Sequence, residues 1–159
     1  MKPAPFAYAK ASTLEDALSL LAEHGDDARI LAGGQSLMAT LNMRLSAPQV
    51  LVDINRIDGL AGINDTGDAL RIGAMTRHSD VETSDLIAQH APLIAAAVDH
   101  IAHPAIRNRG TFGGSIAFAD PAAELPACAM ALDATMHIAG LNGERDVPAA
   151  DFFEGLYET

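Results

Sequence analysis

The chain has few of the residues that disulfides, most metal sites and nucleic-acid surfaces require. It contains one cysteine, Cys128, so it cannot form an internal disulfide or a cysteine-based metal site of its own. Lysine and arginine together number 10 against 21 aspartates and glutamates, which gives a formal net charge of −11. This charge repels phosphate backbones and argues against nucleic acid as a partner, although a few backbone N–H groups can still hold one anionic ligand.

Aromatic residues and long apolar runs are also scarce. Aromatic residues make up 4% of the chain, tryptophan is absent, and the apolar run Leu93–Val98 is far too short to cross a bilayer. Residues Met1–Phe6 do not have the pattern of a signal peptide. Hydrophobic residues nevertheless make up 49% of the 159 residues, enough for a packed core. We therefore expect a soluble, cytoplasmic protein with no membrane span, built as one domain or two small subdomains.

Hydrophobic periodicity predicts a small parallel β–α–β subdomain over residues 1–56. Ser12–Glu15 has the pattern of a helix capping box, and apolar residues then recur at helical spacing. Arg29–Ala32 is typical of a buried strand, Ser36–Leu45 of a helix, and Val50–Ile54 of a second strand. A strand, a helix and a strand in this order favour a parallel pair joined by a crossover helix.

The pattern changes after Asn55 and predicts a mixed, mainly antiparallel α+β subdomain over residues 57–159. Turn residues at 64–68 separate two short strands, and Asn142-Gly143 separates another two, which indicates two β-hairpins. Helices are predicted after a second capping box at Ser79–Glu82, after Pro92, over Ala123–Leu132 and from Ala150 to Tyr157. The fold class expected for the whole chain is α+β.

The first candidate binding segment lies between a predicted strand and a predicted helix. It consists of Ala32-Gly33-Gly34-Gln35-Ser36-Leu37. Glycines let the backbone turn sharply and approach a ligand closely, and the start of a helix offers free N–H groups to a phosphate. Ser36 can add a hydroxyl to such a site or can simply cap the helix. The alternative is plain turn chemistry, for which glycine is the usual residue.

The second candidate segment combines glycines, hydroxyls and two of the few arginines. Arg107-Asn108-Arg109 is followed by Gly110-Thr111-Phe112-Gly113-Gly114-Ser115. Arginine can pair with a phosphate through two hydrogen bonds. The alternative is a bulged strand with arginines on its surface. Two glycine segments in one small chain favour a ligand with two linked phosphates, such as a dinucleotide cofactor.

Acidic residues and histidines give weaker indications. Asp120 and Glu124 flank a predicted helix start, where a carboxylate can accept hydrogen bonds from ribose or ribityl hydroxyls or can merely compensate the helix dipole. Six histidines are scattered along the sequence, and none belongs to a convincing set of metal ligands. No nucleophile is paired with a histidine base, so we predict neither a metal site nor a catalytic residue.

Five motifs in the same order resemble the FAD-binding medium subunit of molybdenum hydroxylases, a group that includes carbon monoxide dehydrogenase, nicotine dehydrogenase and the flavin domain of xanthine dehydrogenase. The motifs are Ala32–Leu37, Ile72–Thr76, Ile106–Thr111, Gly113–Ser115 and Asp120–Pro126. The resemblance runs from the N-terminus to about Tyr157 and corresponds to the N-terminal portion of the family. Family members are much longer, so we expect their C-terminal subdomain to be absent from this sequence.

The resemblance implies a flavin-binding fold of the vanillyl-alcohol oxidase and p-cresol methylhydroxylase type. It implies that Ala32–Ser36 and Thr111–Ser115 hold the FAD pyrophosphate and that the carboxylate of Glu124 lies near the ribityl chain. The cofactor-binding residues expected on this basis are Ala32, Gly33, Gly34, Gln35, Ser36, Leu37, Thr76, Gly110, Thr111, Phe112, Gly113, Gly114, Ser115 and Glu124.

The resemblance further implies a role in electron transfer. In this family a substrate is oxidised at a molybdenum cofactor on a large subunit, and electrons pass through iron–sulfur clusters on a small subunit to FAD and then to an external acceptor. The implied partners are therefore these two subunits. The alternative function is a scaffold or assembly fragment of the same complex that no longer holds flavin, because the missing subdomain helps to cover the flavin ring.

Overall fold

A computed structural model describes residues 1–159. Contacts within the chain divide it into two units, residues 1–58 with 140–143, and residues 59–139 with 144–159. Its helices accompany one three-stranded sheet and two two-stranded sheets. The α+β class predicted from the sequence is confirmed.

The first unit is built on a three-stranded parallel sheet. Its strands are β1 (Ala7–Lys10), β2 (Ala28–Leu31) and β3 (Val50–Asp53), and β3 lies in the middle and pairs in parallel with both neighbours. All of β3 is buried, which agrees with its apolar sequence Val50-Leu51-Val52. The predicted parallel β–α–β arrangement is confirmed, and β1 is an additional strand that the periodicity did not indicate.

Two helices belong to the first unit, α1 (Leu14–His24) and α2 (Leu37–Asn42). The cap of α1 is Thr13, whose hydroxyl accepts a hydrogen bond from the Asp16 N–H at 3.1 Å. The predicted cap at Ser12 is therefore wrong by one residue. The Asp16 carboxylate accepts the Ser12 N–H at 2.9 Å, and α1 begins one residue later than a cap at Ser12 would place it. A short 3-10 turn, residues 25–27, follows α1, and α2 ends three residues before the predicted Leu45.

Both predicted hairpins are present in the rest of the chain. Strands β4 (Ile63–Asp65) and β5 (Leu70–Ile72) are antiparallel, and β6 (Thr135–Gly140) pairs with β7 (Gly143–Pro148). Gly143 has a φ of +114°, a conformation that favours glycine and explains the turn at this point.

Seven helices follow the first hairpin along the chain. They are α3 (His78–Glu82), α4 (Asp85–His90), α5 (Pro92–Val98), α6 (Pro104–Arg107), α7 (Phe112–Phe118), α8 (Glu124–Ala131) and α9 (Ala149–Phe152). Their shared core is formed mainly by Val81, Ile87, Ile94, Val98, Leu125 and Cys128. The helices predicted after Pro92 and over residues 123–132 are confirmed, whereas the last helix is shorter than predicted.

The predicted capping box at Ser79–Glu82 is wrong. Arg77 precedes α3, and the Asp80 carboxylate accepts the Arg77 N–H at 3.3 Å, so the helix begins before Ser79. The Glu82 carboxylate instead accepts two hydrogen bonds from Arg107 of α6. None of the helices combines the length and apolarity needed to cross a lipid bilayer. Nowhere do three or more His, Cys, Asp or Glu side chains converge as metal ligands would.

Candidate functional site

The first glycine segment connects β2 to α2 and contains a run of unpartnered backbone donors. The N–H groups of residues 33–37 form no hydrogen bond within the chain. The first bonds of the turn run from the Met38 N–H to the Gly34 carbonyl and from the Thr40 N–H to the Ser36 carbonyl, each 3.1 Å long. Free N–H groups at the start of a helix are the donors that a bound anion needs.

The backbone at Gly34 favours glycine. Its φ is +74°, and an added Cβ would lie 3.3 Å from Leu31 Cδ1 and 3.4 Å from Met38 Cγ. Ser36 forms no capping bond with α2, and its exposed side chain forms no other hydrogen bond. Of the two roles considered for Ser36, capping is therefore excluded, and the hydroxyl remains available to a ligand.

The other residues of the first segment shape the turn. Ala32 is half-buried directly after β2, and Gly33 is buried. The side-chain amide of the exposed Gln35 folds back and donates to the Gly33 carbonyl at 3.0 Å. Leu37 opens α2 with a half-buried side chain. The segment is thus a compact turn with its polar N–H groups unpaired.

The second segment is not a bulged strand, because α6 ends at Arg107, a short connection follows, and helix α7 begins at Phe112. The Phe112 N–H donates to the Thr76 carbonyl and the Gly113 N–H to the Ala74 carbonyl, both at 2.8 Å. These carbonyls belong to a stretch far away in sequence, which the glycine pattern could not indicate. The Gly114 N–H is left in the first turn without a partner.

Packing within the protein explains two of the glycines in this segment. An added Cβ at Gly110 would lie 2.9 Å from His78 Nδ1, and one at Gly113 would lie 2.6 Å from Ala74 Cβ. Neither position leaves room for a side chain. Ser115, one turn into α7, is half-buried, and its hydroxyl forms no hydrogen bond within the chain.

A buried histidine holds the start of α7. The His78 N–H donates to the Gly110 carbonyl at 3.1 Å, and His78 Nε2 lies 3.0 Å from the Thr111 carbonyl. A carbonyl can only accept, so we assign the proton to Nε2. His78 is 6% exposed, and burial lowers its pKa, so the ring is neutral near pH 7. His78 Nδ1 and Thr111 Oγ1 are buried and have no partner.

The two arginines of the segment differ in availability. Arg107 is buried and forms two hydrogen bonds with the Glu82 carboxylate, at 2.8 Å and 3.0 Å, and a third with the Ile101 carbonyl at 3.0 Å. The suggestion that Arg107 pairs with a phosphate is therefore wrong, because its guanidinium is already hydrogen-bonded to Glu82 of α3. Arg109 is exposed, and its side chain forms no ion pair.

Thr76 and Glu124 occupy different kinds of position. Thr76 is 1% exposed, and its hydroxyl both donates to the Gly62 carbonyl and accepts from the Gly62 N–H, each at 3.0 Å. Its hydroxyl thus has a structural role. Glu124 opens α8, is half-buried and has no hydrogen-bond partner. Its carboxylate therefore has free acceptor capacity for ligand hydroxyls.

Sequence reasoning missed the side chains that hold the end of β2. Asn55 Nδ2 donates to the Ala32 carbonyl at 2.8 Å and to Asp53 Oδ1 at 2.7 Å. A signal for this group was present in the sequence, since Asp53 ends the most apolar strand and Asn55 lies two residues further on. The carboxyl ends of parallel strands are where ligands of open α/β sheets bind.

The family described as "FAD binding domain in molybdopterin dehydrogenase" matches residues 4–159. The chain belongs to this family. The resemblance inferred from the five motifs is confirmed, and FAD is the cofactor of the family, as predicted.

Curated relatives of this FAD-binding domain include two proteins from Paenarthrobacter nicotinovorans. The alpha subunit of the 6-hydroxypseudooxynicotine dehydrogenase complex is 54% identical over 148 residues, which are 93% of this chain and 50% of that protein. The medium subunit of nicotine 6-hydroxylase is 42% identical over 159 residues, 100% of this chain and 56% of that protein. The FAD-binding domain therefore spans about half the length of the curated relatives it matches.

Solved structures confirm the fold of this FAD-binding domain. Carbon monoxide dehydrogenase from Hydrogenophaga pseudoflava superposes with a TM-score of 0.97 at 43% identity, over 100% of this chain and 55% of that one. Quinoline 2-oxidoreductase from Pseudomonas putida 86 gives 0.96 at 42% identity, with 100% and 55% covered. The flavin-binding fold of the p-cresol methylhydroxylase type, expected from the resemblance, agrees with these matches.

Proposed function

We propose that this chain holds FAD in the electron-transfer subunit of a molybdenum-containing hydroxylase. The observation that carries the proposal is the run of five consecutive unpartnered N–H groups at residues 33–37. Successive N–H groups in a turn that changes the sign of φ, as at Gly34, form a concave site for an anion. When bound, FAD supplies a carrier that accepts electrons from one redox centre and passes them to another.

Each glycine segment, taken by itself, offers donors of the kind that a phosphate of FAD accepts. In the first segment these are the N–H groups of residues 33–37 and the Ser36 hydroxyl. In the second they are the Gly114 N–H and the Ser115 hydroxyl. Arg109 is the exposed arginine that can add a positive charge. Local donors of this kind hold an anion in spite of a net charge of −11.

The remaining site residues have two kinds of role in this proposal. Glu124 accepts hydrogen bonds from ribityl or ribose hydroxyls. Other residues act indirectly, because they shape the first turn or hold the start of α7; these are Ala32, Gln35, Leu37, Thr76, Gly110, Thr111, Phe112 and Gly113.

The partners of this proposal are an iron–sulfur subunit and a subunit carrying the molybdenum cofactor. Relatives are named as the medium subunit of a hydroxylase, the medium chain of a dehydrogenase and the alpha subunit of a dehydrogenase complex, which supports assembly with other subunits. The chain has one cysteine and so no cysteine set for a cluster of its own, which supports a division of labour between subunits. Its single buried free cysteine fits a reducing compartment, and we place the complex in the cytoplasm.

Retention of flavin by the purified chain tests the proposal. We expect added FAD to stay with the parent chain through gel filtration, with the visible flavin absorption bands eluting with the protein. Gly34→Ala should lose most of this flavin, because its backbone at φ +74° must change and displace the donors. Gly67→Ala is the matched control, since Gly67 has a φ of +93°, open space around it and no place in either segment.

The two contrary outcomes have different meanings. A colourless parent chain would contradict the proposal and favour the flavin-free scaffold. Equal flavin in parent, Gly34→Ala and Gly67→Ala would leave FAD binding intact but remove the first segment from the site. Unfolding curves of the two variants check that both are equally folded. We expect them to be similar, because each variant places an alanine at a backbone position with positive φ.

A further inference from the structure

The carboxyl end of the central strand β3 is occupied by a buried carboxylate. Asp53, the last residue of β3, is 8% exposed. Its Oδ2 accepts a hydrogen bond from the Tyr8 hydroxyl, and its Oδ1 accepts two from Asn55, from the N–H at 2.8 Å and from Nδ2 at 2.7 Å. A buried carboxylate needs such donors, because it has lost those of water.

The same Asn55 carboxamide also reaches the neighbouring strand. Its Nδ2 donates to the Ala32 carbonyl at 2.8 Å and, more weakly, to the Leu31 carbonyl at 3.3 Å. The NH₂ group has two hydrogens, so one serves Asp53 and the other is shared by the two carbonyls. Three acceptors around one nitrogen also fix which way the carboxamide is turned. Asn55 thus ties the end of β3 to the first residue of the first glycine segment.

Near neutral pH the Asp53 carboxyl is ionised and the Tyr8 phenol is neutral. Burial raises the pKa of the Asp53 carboxyl, but hydrogen bonds from Tyr8 and Asn55 and the charge of Lys10 outweigh burial and lower it below its usual value. The hydrogen bond to Asp53 raises the pKa of the Tyr8 phenol. The carboxylate therefore stays ionised and the phenol stays protonated, so each keeps its role as acceptor or donor.

The turn that follows has few other restraints. Within residues 33–37 the N–H groups have no partner, and the one side-chain bond is from Gln35 Nε2 to the Gly33 carbonyl. On the β2 side, the bonds to the carbonyls of Leu31 and Ala32 come from Asn55 and from the Ile54 N–H, which donates to Leu31 at 3.2 Å. The Ala32 carbonyl, which opens the segment, is held by Asn55.

We propose that Asn55, held in place by Asp53 and Tyr8, is a positioning residue for FAD that acts by fixing the start of the segment at residues 32–37. The inference rests on the proposed function of that segment. Asn55 needs no contact with the cofactor, since it acts through the Ala32 carbonyl. Preorganised donors bind more tightly because less freedom is lost on binding, so a loosened segment should bind phosphate less well.

The test compares Asn55→Ala and Tyr8→Phe with the parent chain, and uses Asn64→Ala as a matched control. Asn64 is exposed in β4, and its side chain forms no hydrogen bond. Dissociation constants for FAD and for ADP are measured by titration well below the unfolding transition. ADP shares the linked phosphates of FAD and lacks the flavin ring, so it reports on the phosphate-binding segment.

We expect Asn55→Ala to weaken both FAD and ADP binding about tenfold, and Tyr8→Phe to weaken both about threefold. Asn64→Ala should match the parent. Equal dissociation constants for Asn55→Ala and parent, with or without a lower unfolding midpoint, would overturn the inference and leave the proposed function standing. Weaker FAD binding with unchanged ADP binding would overturn it too, because the effect would not pass through the phosphates. A parent chain that binds no FAD would overturn both.

Discussion

Glycine can be favoured at a position by the backbone conformation or by close packing. Gly34 and Gly113 illustrate these two cases. Gly34 is favoured by its own backbone, with a φ of +74° in a turn whose N–H groups are unpaired. Gly113 has no positive φ, but its Cα lies against Ala74. The same residue type thus allows a tight turn in the first segment and close packing in the second.

Gly113→Ala should lower the free energy of unfolding by about 1–3 kcal/mol, the usual cost of adding a methyl group to a filled site. The new carbon would lie 2.6 Å from Ala74 Cβ and 2.9 Å from the Ala74 carbonyl oxygen, so backbone must move. Urea unfolding followed by circular dichroism measures the change. Gly140→Ala is the control, because its Cβ would meet only the Gly143 carbonyl at 3.7 Å. Equal midpoints for the two variants would contradict the packing argument.

His78 gives the chain a specific dependence of stability on pH. The unfolded chain protonates this histidine near its ordinary pKa of 6.5, whereas burial lowers the pKa in the folded state. The hydrogen bond to the Thr111 carbonyl and the negative charge of Glu124 oppose the lowering of the pKa, and the charges of Arg107 and Arg77 reinforce it. The unfolded state therefore binds more protons in this range, so the stability from the neutral ring is present above pH 6.5 and is lost as the pH falls through the lowered pKa.

Replacing His78 by glutamine should remove this pH dependence. Between about pH 7 and about pH 5, the free energy of unfolding of the parent should fall more steeply than that of His78→Gln. The other five histidines are common to both proteins, so the difference between the two curves isolates His78. Asn64→Ala serves as control, because it removes an exposed side chain that does not titrate, and its curve should follow that of the parent. Parallel curves for His78→Gln and parent would mean that His78 does not stay neutral in the folded protein.

At the scale of elements, the sequence predicts those that are specified by their own periodicity or turn residues. Helices α1, α5 and α8 carry apolar residues at helical spacing, β3 is an uninterrupted apolar strand, and Asn142-Gly143 specifies its own turn. Strand β1 is different, because only Ala9 of its four residues is even half-buried. It becomes a strand by pairing with β3, which a local pattern cannot reveal.

Helix α7 shows most clearly why part of the candidate site could not be predicted. Two adjacent glycines disfavour a helix by about 1 kcal/mol each relative to alanine, so the local sequence favours a loop. The helix forms because the carbonyls of Ala74 and Thr76 accept its first N–H groups. The pairing of Arg107 with Glu82 is likewise a contact between residues 25 apart. The glycine motifs identified the segments, but tertiary contacts decided which of their groups remain free.

The start of α1 allows a direct test of which residue caps it. Thr13→Ala should lower the free energy of unfolding by about 1 kcal/mol, because the Asp16 N–H loses its acceptor. Ser12→Ala should cost less, since the Ser12 hydroxyl makes only an exposed bond of 3.2 Å to the Asp16 carboxylate. Chemical unfolding of the two variants measures the difference. A larger loss for Ser12→Ala would restore the cap predicted from the sequence.

At the scale of the whole molecule, the net charge and the local donors act on FAD in opposite directions. The chain carries a net charge of −11, and FAD brings a negatively charged diphosphate. Long-range repulsion acts while the ligand approaches, whereas the hydrogen bonds that we propose from residues 33–37 would act only at contact. The net charge should therefore slow association, and the local donors should set the lifetime of the complex.

Ionic strength separates these two effects. Raising salt from about 0.01 M to about 0.15 M shortens the screening length from about 30 Å to about 8 Å, so the approach of FAD should become faster. We expect the association rate constant of FAD, measured by stopped-flow fluorescence, to rise with salt, whereas that of riboflavin should not change because it has the same ring and no phosphate. A rate for FAD that falls with salt would mean that a local positive charge, such as that of the exposed Arg109, dominates the approach. The net charge of −11 would then have little effect on the approach of the cofactor, and local positive charge would decide how fast FAD binds.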